Sequence, residues 1–133
     1  MEQQEKTASM PARTPEDVNR CLAEAFRVRN LEAVVALYEP GATFVAQPGQ
    51  PVTGLAAIRE AVAGFLALNP NLALEVTGVI GSGDVALTSS RWTLTGTTPD
   101  GKSLQMSGCG VEVVRRQPDG TWRYVIDNPY AGT

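Results

Sequence analysis

Hydrophobic residues in the first half of the chain recur at intervals of three and four, the spacing of one helix face. Three segments show this pattern, at residues 15–26, 31–38 and 55–68. The first begins after Thr14 with Pro15, residue types that favour the N-cap and the first turn of a helix. The second follows Asn30, another N-cap type, and carries Tyr38 on its apolar face. The pattern therefore predicts three amphipathic helices, each with one buried face.

The spacing changes from Asn71 onward, where apolar residues alternate with polar or small ones. Glycine-containing turns at 81–84, 99–102 and 118–121 separate the predicted strands. These strands cover residues 71–80, 85–97, 103–117 and 122–128. A further strand and loop are expected at 41–54, and Gly108 and Gly110 favour a bend or bulge inside the long third strand. Helices followed by an antiparallel meander predict an α+β fold, with the helices on one face of a curved sheet.

The length of 133 residues fits one domain that can bury a hydrophobic core. Hydrophobic residues make up 43% and charged residues 19% of the chain, which is typical of a globular protein. We interpret residues 1–13 as a flexible N-terminal tail and residues 14–133 as the single domain.

Charge and composition exclude several classes of function. The net charge of −3 disfavours nucleic-acid binding, which needs a basic face. No apolar run is long enough to span a membrane, and the N-terminus lacks the pattern of a signal peptide, so we expect a cytoplasmic protein. Cys21 and Cys109 lack the spacing of metal ligands and are interpreted as buried free thiols. Gly81 and Gly83 belong to a hairpin and not to a dinucleotide site, so we expect neither a metal nor a cofactor.

The chain contains no histidine, which excludes Ser-His-Asp and Cys-His relays and histidine-ligated metal sites. Carboxylates, tyrosines and cysteines remain as acid–base candidates. Cys109 has no base nearby in the sequence, and a packed thiol is favoured there over a nucleophile.

Three segments carry a family resemblance. "VALYEPGATFVAQPGQPVTGLAAIREAV" at 35–62 resembles the corresponding segment of ketosteroid isomerase and SnoaL-like proteins. "GDVAL" at 83–87 and "RRQPDGTWRYVIDNP" at 115–129 resemble a DUF4440 or SgcJ/EcaC-type subgroup. The resemblance implies an NTF2-like cone, in which three N-terminal helices pack on a curved antiparallel sheet. It also implies an apolar pocket between helices and sheet, and a homodimer formed through the outer sheet face.

The same resemblance places the isomerase base at Ala46, with Gln47 as its neighbour. Alanine cannot accept a proton, and an amide is a very poor general base. The chain therefore departs from the isomerase pattern at its defining residue.

Asp127 is the best remaining candidate for a catalytic base. It is the only acid in "WRYVIDNPY" at 122–130. Strand alternation puts Trp122, Tyr124, Ile126 and Asn128 on the core side, which leaves Asp127 outside. A bulge, or the chain bend before Pro129, would reverse its direction. The alternative role is structural, as a carboxylate paired with an arginine or capping a turn.

The predicted pocket is mainly apolar and aromatic. Its candidate wall residues are Tyr38, Phe44, Ala46, Phe65, Trp92, Met106, Asn128 and Tyr130. These side chains either line a cavity or fill it. Tyr38 and Trp92 either bind a ligand or belong to the core, and Arg91 either binds an anion inside or faces outward.

Three functions remain open from the sequence. The first is binding of a small hydrophobic or aromatic molecule without turnover. The second is an isomerase, cyclase or dehydratase that uses Asp127 with Tyr38 or Asn128. The third is a dimerisation or regulatory domain, with a filled pocket and outward residues such as Val114 forming an apolar patch.

Overall fold

A computed structural model describes residues 11–132, and its α+β architecture confirms the predicted order of elements. The helices are α1 (Pro15–Arg27), α2 (Leu31–Val35) and α3 (Leu55–Leu66). The strands are β1 (Tyr38–Gln47), β2 (Gln50–Thr53), β3 (Asn71–Ser82), β4 (Val85–Thr97), β5 (Ser103–Arg116) and β6 (Trp122–Asn128).

Residues 1–10 of the predicted tail lie outside the described residues. Ala12, which that prediction also placed in the tail, is buried, and its carbonyl accepts a hydrogen bond from the Trp122 N–H at 2.8 Å.

The strands form one six-stranded sheet in the order β2-β1-β6-β5-β4-β3. Strands β3 to β6 form the predicted antiparallel meander, and β1 lies parallel to β6. The three predicted hairpin turns contain Gly83, Gly101 and Gly120, each at a positive φ that glycine adopts without strain.

All three helices begin where the sequence predicts, but α2 and α3 end earlier. Helix α2 ends at Val35, and Tyr38 starts β1 instead of closing the helix. The reason is tertiary pairing: Tyr38 lies opposite Tyr124, whose N–H donates to the Leu37 carbonyl at 2.7 Å. Pro40 also favours extended backbone at the residue before it.

The helices pack on one face of the sheet, which we call the inner face. Helix α1 contacts β3 to β6, and α3 contacts β1 and β2. Tyr38, Tyr124, Ile58, Val18 and Val34 are among the largest fully buried side chains between these layers. The opposite face of the sheet is called the outer face below.

A β-bulge in β6 decides the direction of Asp127. Val113 pairs with Ile126 and Val114 with Tyr124, so Val125 is the extra residue. As a result Ile126 faces outward and Asp127 faces inward with only 4% of its surface exposed. The alternation that left Asp127 outside is wrong here, and the bulge that would reverse it is present.

The two glycines of β5 do not form a bulge, since β4 and β5 pair without interruption from Val85 to Thr97. They serve close packing instead. A Cβ at Gly108 would lie 3.1 Å from the Trp92 ring, and one at Gly110 would lie 2.8 Å from the Glu112 carboxylate.

Side-chain direction overturns two sequence-based expectations and decides between two alternatives for a third residue. Val114, predicted to face outward, is fully buried, and its neighbour Val113 lies in the outward-facing register with Leu87. Cys21 is buried as predicted, but Cys109 is exposed. Arg91 takes the outward alternative and pairs with Glu75 at 3.1 Å.

No helix within residues 11–132 is long and apolar enough to cross a membrane. The described residues also contain no cluster of three or more cysteine, aspartate or glutamate side chains suited to holding a metal ion.

Candidate functional site

A cavity of about 80 Å³ lies between the helices and the inner face of the sheet. Its walls include six predicted pocket residues and the predicted base: Tyr38, Phe44, Phe65, Trp92, Met106, Tyr130 and Asp127. The remaining walls are formed by Asn19, Leu22, Phe26, Val62, Leu72, Leu74, Ser90, Leu94, Glu112 and Pro129. The structure thus brings together residues from α1, α3, β1, all four meander strands and the C-terminal segment.

Two predicted pocket residues, Ala46 and Asn128, are not part of the walls. Both position Tyr130, which is. The Tyr130 hydroxyl donates to the Ala46 carbonyl at 2.9 Å, and the Tyr130 N–H donates to Asn128 Oδ1 at 3.1 Å. Their contribution to the cavity is therefore indirect.

The cavity has an apolar end and a polar end. The half-buried side chains of Leu22, Phe65, Leu72 and Met106 form the apolar end. The polar end is fully buried and contains the side chains of Asn19, Tyr38, Ser90, Glu112 and Asp127. A ligand in this cavity would place its apolar part toward the half-buried end.

Asp127 is the principal polar group of the cavity. Its Oδ2 accepts a hydrogen bond from the Tyr38 hydroxyl at 2.6 Å. Its Oδ1 has no hydrogen-bond donor anywhere in residues 11–132. Burial raises the pKa of Asp127 to about 7; the Tyr38 hydrogen bond opposes this rise and the charge of Glu112 adds to it. The carboxyl group can therefore exist in either protonation state near neutral pH.

Tyr38 acts as a hydrogen-bond donor and not as a base. Burial, together with the nearby charge of Asp127, raises the pKa of the Tyr38 hydroxyl well above its ordinary value. The hydroxyl keeps its proton at physiological pH and holds the Asp127 carboxylate in place.

Glu112, beside Asp127 across β5 and β6, is a site residue that the sequence-based predictions missed. Its Oε1 accepts from Thr88 Oγ1 at 2.6 Å and from Asn19 Nδ2 at 2.9 Å. Its Oε2 accepts from Ser90 Oγ at 2.7 Å. Three donors thus satisfy this buried carboxylate. The available signal was alternation, because Glu112 is in phase with the inward-facing Met106 of the same strand.

Aromatic side chains complete the cavity walls. Trp92 donates its indole N–H to the Pro129 carbonyl at 2.7 Å and meets Tyr130 edge to face. Phe44 and Phe65 form a second edge-to-face pair, with ring centroids 6.3 Å apart. These contacts fix the rings that surround a small interior space.

The volume of about 80 Å³ limits what the site can hold in this conformation. Pockets for drug-sized molecules span roughly 300–1,000 Å³, and an engineered apolar cavity of about 150 Å³ binds benzene. The cavity is therefore neither filled by its own side chains nor large. It suits a molecule of a few heavy atoms, unless side chains such as Phe65 and Met106 move.

The fold has many relatives among solved structures. A ketosteroid isomerase-like protein from Erwinia carotovora atroseptica SCRI1043 superposes with a TM-score of 0.74 at 20% identity, covering 93% of this chain and 94% of the other. A proposed dehydratase of the NTF2-like family from Streptomyces avermitilis gives a TM-score of 0.70 at 18% identity, covering 84% and 89%. A proposed aromatic ring hydroxylase from Novosphingobium aromaticivorans gives 0.70 at 24% identity, covering 89% and 90%. At these identities the likeness shows the fold alone.

No curated protein matches the sequence. The sequence model of the SnoaL-like domain, in contrast, matches residues 18–125, which include most of α1 and most of the sheet. The chain shares its fold with a structure of the NTF2-like family, and the match over residues 18–125 establishes that it belongs to the SnoaL-like domain family.

Proposed function

We propose that the protein binds a small, mainly apolar molecule in the cavity, with Asp127 contacting its polar group. One observation carries this proposal: a buried carboxylate oxygen, Asp127 Oδ1, has no donor among residues 11–132 and belongs to a residue of the cavity wall. A buried acceptor without a partner is costly in free energy, so a bound donor would stabilise the site. The apolar remainder of the walls would contribute most of the binding free energy.

Isobutanol is a suitable probe, since its four carbons and one hydroxyl match the size and polarity of the cavity. We expect it to shift the Trp92 indole N–H resonance with a Kd on the order of millimolar. Trp122, the other of the two tryptophans, is absent from the cavity walls and serves as an internal control. Two-dimensional ¹H–¹⁵N NMR follows both signals. An unchanged Trp92 signal at saturating isobutanol would refute binding in this cavity.

A second function, proton-transfer catalysis by Asp127, is favoured by its pKa of about 7. A carboxyl group poised near the working pH serves well as a general acid or base. Tyr38 orients it, and Oδ1 is left to exchange a proton with a substrate. Reactions of the isomerase, cyclase or dehydratase kind all need such a group.

Deuterium exchange tests this second function. In D₂O at neutral pH, we expect the protein to accelerate exchange of the protons next to the carbonyl of butanone, measured by ¹H NMR. Asp127→Asn should reduce this acceleration to background, since an amide cannot accept the proton. Asp84→Asn, an exposed carboxylate paired with Arg116, is the matched control and should keep the full rate. Equal rates for wild type and Asp127→Asn would exclude Asp127 as the base.

We also propose that the protein is a homodimer joined through the outer face. Ile80, Leu87, Val113 and Ile126 are direct cross-strand neighbours on β3 to β6 and form one apolar row. Of these side chains, Ile80 is 70% exposed, Leu87 41% and Ile126 43%. A second copy related by two-fold symmetry would cover this row with the same row. A purely structural role for the protein, the third function considered, would also rest on this face.

A further inference from the structure

The hydrogen-bond donors of the cavity are almost all engaged. Five wall side chains carry an N–H or O–H donor: Asn19, Tyr38, Ser90, Trp92 and Tyr130. Tyr38 donates to Asp127, Ser90 and Asn19 donate to Glu112, Trp92 to the Pro129 carbonyl and Tyr130 to the Ala46 carbonyl. Within the described residues, the second amide hydrogen of Asn19 is the one cavity donor left for a ligand.

Among the carboxylate acceptors of the cavity, one oxygen is available to a ligand. Both oxygens of Glu112 are occupied by three donors, whereas Asp127 Oδ1 has none in residues 11–132. A ligand that offers only acceptors meets a single donor in the cavity, the Asn19 amide, while Asp127 is ionised. A ligand that offers a donor can form a charge-assisted hydrogen bond with the available carboxylate oxygen.

The charges of the cavity wall also favour a ligand that donates hydrogen bonds. Two carboxylates, Asp127 and Glu112, belong to the cavity wall, and no described residue that lines it is lysine or arginine. The titratable groups that interact with Asp127 are Glu112 on β5 and the hydroxyls of Tyr38, Tyr124 and Tyr130, and none of them is a cation. Arginines on the elements that form the cavity are paired at the surface, among them Arg59 with Glu32, Arg91 with Glu75 and Arg115 with Glu39.

We propose that the site binds a small amine in its ammonium form, with the N–H donating to Asp127 Oδ1 and a compact alkyl group in the apolar end of the cavity. This inference rests on the proposed binding function and names the ligand class. A cation neutralises one of the two buried carboxylates, whereas an anion would be repelled by both. A neutral alcohol makes the hydrogen bond without compensating the charge, so it binds more weakly.

Three probes of nearly equal shape separate these cases: isobutylamine, isobutanol and isobutyrate. The Trp92 indole N–H reports binding and Trp122 is the internal control, both followed by NMR. At about pH 8 we expect isobutylamine to bind roughly tenfold or more tightly than isobutanol, because the ammonium group both donates to the carboxylate and compensates its charge. Isobutyrate should not shift the Trp92 signal.

Acidification provides a second readout on the unmodified protein. Isobutylamine stays protonated below about pH 9, as the ordinary pKa of an alkylamine is near that of lysine. Since Asp127 titrates near pH 7, its carboxylate form becomes scarce in acid. We therefore expect the amine to bind about 50–100-fold more weakly at pH 5 than at pH 8, with a much smaller change for isobutanol.

Two variants test whether Asp127 is responsible for the preference for the amine. In Asp127→Asn the preference for isobutylamine over isobutanol should disappear. In Asp84→Asn, which removes an exposed carboxylate paired with Arg116, the preference should persist, which controls for the loss of one negative charge. If Asp127→Asn does not fold, the pH dependence of the wild-type protein decides the question.

The possible outcomes test the amine inference separately from the proposed binding function on which it rests. If isobutanol shifts Trp92 and isobutylamine binds no better, or isobutyrate binds best, the amine inference is overturned and the binding function stands. If none of the three probes shifts Trp92, both are wrong. Tight, pH-dependent amine binding that requires Asp127 supports both.

Discussion

From about pH 4 to about pH 8, the free energy of unfolding of the wild-type protein should fall by about 4 kcal/mol relative to that of Asp127→Asn. The cause is the buried Asp127 carboxyl group. Its pKa is about 7 in the folded protein, against an ordinary value of 3.8 that applies when the chain is unfolded. Ionising this group therefore costs more in the fold than in the unfolded chain.

The direction of the effect follows from proton binding. At pH values below 3.8 the carboxyl group is protonated in both states. Between 3.8 and about 7 the unfolded chain releases this proton while the folded protein keeps it, so stability decreases as the pH rises. Above about pH 7 the carboxyl group is ionised in both the folded and the unfolded state, and the loss of stability stays constant. This carboxylate thus destabilises the fold at neutral pH, the opposite of a carboxylate held in an ion pair.

Urea unfolding at a series of pH values, monitored by tryptophan fluorescence, measures this difference. Asp84→Asn is the control, because Asp84 is an exposed partner of Arg116 and its removal should leave the pH profile close to wild type. Parallel profiles for wild type and Asp127→Asn would show that Asp127 has an ordinary pKa in the fold. The cavity would then contain a permanent carboxylate, and proton transfer near neutral pH would lose its support.

Two neighbours should move the midpoint of this profile in opposite directions. The charge of Glu112 raises the pKa of Asp127, so Glu112→Gln should lower the midpoint. The hydrogen bond from Tyr38 lowers that pKa, so Tyr38→Phe should raise the midpoint. Opposite shifts would show that both groups act on Asp127 itself.

Replacing Leu87 by lysine should convert the proposed dimer to a monomer, with the dimer Kd increasing roughly 1,000-fold or more. Leu87 lies within the apolar row, between Ile80 and Val113. In a two-fold symmetric interface the substitution occurs twice, so two ammonium groups would lose water without a partner. A cost of a few kcal/mol for each lysine accounts for the expected change in Kd.

Sedimentation velocity over a range of concentrations measures this change. Thr95→Lys is the matched control, since Thr95 is exposed on the same strand and pairs with the polar residues Asn71 and Gln105. It should leave the dimer intact. A wild-type protein that sediments as a monomer at every concentration would refute the dimer, and a dimeric Leu87→Lys protein would place the interface elsewhere.

Local chemistry determined much of the fold directly from the sequence. Helix α1 begins where Thr14 and Pro15 predict, and the Asp17 carboxylate accepts the Thr14 N–H at 3.1 Å. The hairpin turns occur at the predicted glycines because a positive φ is nearly free of cost for glycine alone. The alternation of apolar and polar residues predicted the four strands of the meander. The absence of histidine by itself excluded several kinds of catalytic relay.

The site itself was decided by tertiary structure. Tyr38 has a helical pattern, yet it enters β1 and pairs with β6. In this arrangement the Tyr124 N–H of β6 donates to the Leu37 carbonyl, so the backbone of the two strands is hydrogen-bonded. Asp127 faces the core because the bulge at Val125 shifts the alternation of β6 by one residue. Glu112 is paired with donors on α1 and β4 that are distant in the sequence. Sequence periodicity shows which side chains of a single helix or strand share a face. The register between strands, and with it the buried carboxylate pair, depends on how separate segments pack together.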